Sequence, residues 1–190
     1  CQWLNTALEE TDIRHIRALA LEALGEPCPD VLAQQQILMD AVSEIGITNS
    51  TEWLAPARAL VSLARIAPAL AEAALPQFLE HENAFVRSYA ATAAALLGQT
   101  DVLRVLSRDP IPNVRTAALQ LLAARDSESI DELLVSQLST DDPQLLMTAA
   151  RLLENSPLGL QAASATLLAF ERVSANQRET SRDARRALLE

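Results

Sequence analysis

Apolar residues recur along this chain at helical spacing. Between 112 and 125, Val114, Ala117, Ala118, Leu121 and Leu122 fall at i, i+3, i+4, i+7 and i+8, one face of a 3.6-residue helix. Between 84 and 97 the equivalent face is Val86, Tyr89, Ala90, Ala93, Ala94 and Leu97. No segment sustains the period-2 alternation of a strand, and β-branched residues are sparse. Turn signals then predict helices over 2–10, 12–25, 31–45, 52–66, 69–80, 84–97, 100–108, 112–125, 128–139, 143–154, 158–172 and 176–189. Asp30 is placed to cap the third of these, and Ser50 or Thr51 the fourth. Pro68 and Pro143 suit first-turn positions, where a missing N–H costs nothing. Pro76 falls inside a run and predicts a kink or an early end.

The helical runs are also repeated. An apolar–Arg step followed by Ala and Leu occurs at Ile16-Arg17, Ala57-Arg58, Val86-Arg87 and Val114-Arg115. A weaker copy, Leu146-Met147, lacks the arginine, and a sixth lies at Ala184-Arg185. Each such helix carries an apolar stripe too wide for one neighbour to cover, so pairs must stack to be stable. The expectation is an all-α fold, an α-solenoid of about six stacked antiparallel helix pairs forming one domain over 1–190. The lack of an initiator Met and of polar capping repeats suggests a segment of a larger protein.

The segments Asp109-Pro110-Ile111-Pro112-Asn113-Val114-Arg115-Thr116-Ala117-Ala118-Leu119 and His81-Glu82-Asn83-Ala84-Phe85-Val86-Arg87-Ser88-Tyr89-Ala90 resemble HEAT repeats. More narrowly, they are similar to the short bacterial HEAT-like kind also seen in phycobilisome lyases. The resemblance implies that Arg17, Arg58, Arg87 and Arg115 open the second helix of each pair and bond to acids of the same or adjoining repeat. Asp12, Glu82 and Asp109 are the matching acids, with Asp141 left facing Met147. Such a ladder of ion pairs would set repeat register more than it would add stability.

Composition narrows the partners. All fifteen basic residues are arginine, and the net charge is −10. Residues 1–84 hold 12 acids against 4 arginines, and residues 85–190 hold 13 against 11. That balance argues against nucleic acid and anionic lipid, which need a clustered basic surface. Cys1 and Cys28 form neither a disulfide framework nor a zinc pattern and are read as thiols. No apolar run is long enough to span a bilayer. A cytoplasmic location is expected, with a periplasmic chain or one lipid-anchored through Cys1 as the alternative.

Catalytic signals are weak. His15 and His81 lie in different repeats and are read as a surface and a turn residue. The acid pairs Asp131-Glu132 and Asp141-Asp142 complement helix dipoles. No phosphate loop, nucleophile elbow or H-E-x-x-H motif is present. Trp53 precedes an apolar helix and is expected in the core, whereas Trp3 is a candidate exposed contact. The mixed-charge stretch 172–190 reads as a solvated face. The leading functional expectation is a non-catalytic, cofactor-free scaffold that holds a protein or peptide in its concave groove. Groove candidates are polar positions off the apolar stripes: Arg14, Glu22, Ser62, Arg65, Ser88, Thr92, Gln120 and Arg151. The alternative, from the resemblance alone, is the repeat segment of a larger enzyme such as a bilin lyase.

Overall fold

A computed structural model describes residues 8, 14–46, 52–125, 130–154, 160–175 and 182–189. Among these the protein is all-helical, with no strand. The helices are α1 (Arg14–Ala23), α2 (Val31–Ser43), α3 (Leu54–Ile66), α4 (Pro68–Leu79), α5 (Ala84–Leu96), α6 (Thr100–Leu106), α7 (Pro112–Ala123), α8 (Asp131–Gln137), α9 (Pro143–Leu153), α10 (Leu160–Ala175) and α11 (Arg182–Ala187). A 3-10 turn, Glu44–Gly46, extends α2.

Their starts follow from local chemistry. Asp30 accepts the Ala33 N–H at 3.0 Å, Asn83 that of Phe85 at 2.9 Å and Asp142 that of Leu145 at 2.8 Å, so three helices open with a side-chain cap. Pro68, Pro112 and Pro143 occupy first-turn positions of α4, α7 and α9. Residues 50 and 51, expected to cap α3, lie outside the described residues, and Trp53 holds the N-cap position without a side-chain bond. Pro76 does not end its helix: α4 runs on to Leu79. The proline sits one turn from the end, where it removes a single ladder bond. Gly98 closes α5 at φ 75°, with Gln99 N–H donating to Ala94 O and Gly98 N–H to Ala95 O, a left-handed cap that glycine adopts without strain.

The chain divides into two compact units, Cys1–Val102 and Leu103–Glu190. In the first, α3 packs against α1 on one side and α5 on another, while α2 packs on α3 and α4 on both α3 and α5. Alanine makes this close approach possible: Ala57, Ala59, Ala90, Ala91, Ala93 and Ala94 are fully buried. Ala71, Leu75 and Phe78, at i, i+4 and i+7, form the buried face of α4, and Phe78 is fully buried. In the second unit α9 occupies the central place, packing against α7, α8 and α11. Its core joins Leu145, Leu146 and Ala149 to Val114, Ala118 and Leu122 of α7.

Candidate functional site

The repeated arginines are structural parts, and they come in two kinds. Arg17 makes a two-pronged bond to Glu44, just beyond α2, with Nη1 to Oε2 at 2.8 Å and Nη2 to Oε1. That bond, helped by the charges of Glu44 and Glu52, raises the Arg17 pKa against the opposing effect of burial. Arg58 on α3 pairs with Glu22 on α1. Arg87 and Arg115 donate to backbone. Arg87 Nη1 reaches the carbonyls of His81 and Glu82 at 2.7 and 3.0 Å, and Arg115 Nη1 those of Asp109 and Pro110 at 2.7 and 3.2 Å. The two clamps are one geometry, each guanidinium gripping the turn before its own helix. The Asp109 carboxylate accepts the Ile111 N–H at 2.8 Å within that turn, and Asp12 lies outside the described residues.

The repeat that lacks its arginine is served from elsewhere. Arg172 on α10 donates Nη2 to Leu138 O at 2.8 Å and Thr140 O at 2.7 Å, and its Nε stands 3.7 Å from Asp141 Oδ1. The turn before α9 therefore has a guanidinium clamp although Met147 replaces the local arginine. Arg172, read from sequence as part of a solvated face, is a half-buried structural residue.

The expected groove positions scatter. Ser62 is fully buried, its hydroxyl donating to Glu22 O at 3.2 Å, so it is a packing residue and not a groove residue. Glu22, Ser62 and Arg65 meet at Gly25, where an added Cβ would lie 3.0 Å from Ser62 Oγ, 3.1 Å from Arg65 Nη1 and 3.1 Å from Glu22 O. Gly25 is thus fixed by close approach. Gln120 and Arg151 are exposed on α7 and α9 of the second unit. The Arg14 side chain lies outside the described residues. Only Ser88 and Thr92 fall on one surface stripe, half-exposed on α5, with their hydroxyls donating to the carbonyls four residues back.

That stripe is the candidate site. Along α5, Phe85, Ser88, Tyr89, Thr92 and Leu96 follow helical spacing on one face, with Phe85 57 % and Leu96 45 % exposed. Trp53, expected in the core, is only partly buried and stacks on Phe85, ring centroids 5.4 Å apart and planes 7° from parallel. Tyr89 leans on Trp53 at 6.1 Å and 55°. Half of the chain's six aromatic residues gather here. Sequence periodicity put Tyr89 on the buried face and gave Phe85 no role. The usable signal was the 32-residue step from Trp53 to Phe85, which brings two helix starts side by side. In the second unit, a cleft of about 470 Å³ among α9, α10 and α11 is lined mainly by alanine and leucine, with Glu154 its one charged group.

A buried polar side chain and a disulfide hold the first loop. Gln34 donates Nε2 to Leu24 O and Glu26 O, both at 2.6 Å, and accepts the Cys28 N–H at 3.1 Å. Two carbonyls of the loop after α1 are thereby satisfied. Cys28 itself is buried and disulfide-bonded, which corrects its reading as a thiol. The sequence holds one other cysteine, Cys1, outside the described residues. Among the described residues no three His, Cys, Asp or Glu side chains gather as a metal site requires, and no helix is long and apolar enough to cross a membrane. His15 is exposed, and His81 Nδ1 accepts the Asn83 N–H at 3.0 Å in a turn. No protein-family model matches the chain, nor does any curated protein or solved structure.

Proposed function

We propose that this protein is a non-catalytic scaffold that holds a protein or peptide partner against the exposed face of α5. The observation that carries the reading is the exposed Phe85 ring, stacked on partly buried Trp53 at the head of that face. Large rings are normally withdrawn from water, and exposed ones at the rim of a packed layer are typical anchors of interfaces. The alternating contacts within each unit, α1–α3–α5 with α2 and α4 in one and α7–α9–α11 with α8 in the other, support a HEAT-like stack of helix pairs. The fully buried Ser62 and the inward work of the arginines move the binding surface away from the arginine row.

The disulfide at Cys28 supports an oxidising compartment, periplasmic or extracellular, over the cytoplasm, because cytosolic thiols are kept reduced.

The test is affinity capture from the cells that make the protein, using wild type beside Phe85→Ala and Leu96→Ser. Both side chains are about half exposed, so melting temperatures should fall only slightly. A protein retained by wild type and lost by both variants is the expected result. Recovery of pigment or duplex DNA with no protein, or equal recovery by all three baits, contradicts the reading.

A further inference from the structure

We infer that the α5 face recognises a cationic peptide segment, an arginine or lysine seated on the Phe85 ring with a large apolar side chain following toward Leu96. This rests on the scaffold reading and adds the chemistry of the partner.

Three observations converge. The first is the ring stack. Trp53 covers one face of Phe85 at 5.4 Å, and Phe85 remains 57 % exposed, so its other face is offered outward. Aromatic faces carry negative quadrupole density and attract guanidinium and ammonium groups. A ring already held by a parallel neighbour meets a ligand without first being ordered.

The second is charge. Exposed Glu80 and Glu82 lead into α5. The nearby arginines are already engaged: Arg17 holds Glu44 with both terminal nitrogens, and Arg87 Nη1 is taken by two carbonyls. Over Cys1–Val102 there are 13 acids against 5 arginines, so the whole unit adds an attractive field for a cation. An acidic ligand would be repelled by this field.

The third is the shape of the stripe. Phe85 and Leu96 are eleven residues apart on one helix, about 16 Å at the usual rise. Ser88, Tyr89 and Thr92 lie between them, and the Ser88 and Thr92 hydroxyls are already bonded to their own helix, leaving a weakly polar track. An extended peptide covers that distance in about five residues. The partner is therefore a segment with Arg or Lys and a Leu- or Phe-sized side chain about five residues apart.

The test uses the full chain with Trp3→Phe, which leaves Trp53 as the only tryptophan reporter. Its fluorescence is titrated with a synthetic peptide bearing arginine and leucine at that spacing. Parallel titrations use the same peptide with citrulline for arginine, and with serine for leucine. The arginine peptide should bind, with the citrulline form at least about fivefold weaker and binding reduced again in about 0.5 M NaCl. Phe85→Leu, which keeps an apolar side chain but removes the ring, should lose the preference for arginine over citrulline. Equal affinity for the arginine and citrulline peptides, or a preference unchanged in Phe85→Leu, overturns the inference. If both peptides bind equally and Leu96→Ser weakens both, the cation is wrong while the scaffold face stands. If neither binds, the inference falls, and the capture experiment judges the scaffold separately.

Discussion

At the scale of single residues, the recurring arginine is best understood by what its hydrogens find. Arg87 and Arg115 each bring one nitrogen to two carbonyl oxygens of the turn before their helix, five and six residues back. A charged donor on a half-buried carbonyl is worth more than a neutral bond, about 1.5–3 kcal/mol before solvent screening. Arg115→Ala should therefore lower stability by about 1–2 kcal/mol and leave partner affinity unchanged, since the side chain faces its own turn. Calorimetry beside a binding titration checks both halves. An unchanged melting curve would remove the clamp from the account. The arginines were legible in sequence as an internal device, but their acceptors were not. Carbonyl oxygens have no letter in a sequence, so matching acids were the only partners available to infer.

At the scale of elements, the helices were legible because apolar period, proline position and cap residues agreed. Asp30, Pro68 and Asp142-Pro143 sit where their chemistry predicts. What periodicity missed was the aromatic group, because stacking between Trp53 and Phe85 depends on how two helix starts are placed across the layer. It also missed the substitution of Arg172 for the absent arginine at Met147, a relation between α10 and the turn before α9. Arg172→Ala should destabilise the second unit by about 1–3 kcal/mol. In that background Met147→Arg should recover part of the loss, since position 147 lies five and six residues after Asp142 and Asp141, as Arg115 does after Pro110 and Asp109. Denaturant titration of the single and double variants measures it. Strict additivity would show that the two guanidinium positions serve different turns.

At the scale of the molecule, helix layers built on alanine contacts leave little room for chemistry inside and place the distinctive side chains at a surface. The loop after α1 is held twice, by Gln34 through three hydrogen bonds and by the disulfide at Cys28. Reduction should lower the melting temperature by the equivalent of about 2–4 kcal/mol, with α1 affected first. A melting curve insensitive to reductant would argue against an oxidising compartment. The central claim is that α5 is the face that meets a partner. Photo-cross-linking tests it most directly, with p-benzoylphenylalanine placed at Ser88 on that face or at exposed Glu72 on α4, in the cells that make the protein. The account predicts a discrete protein adduct from Ser88 and none from Glu72. Adducts from Glu72 alone, or none from Ser88, would contradict it.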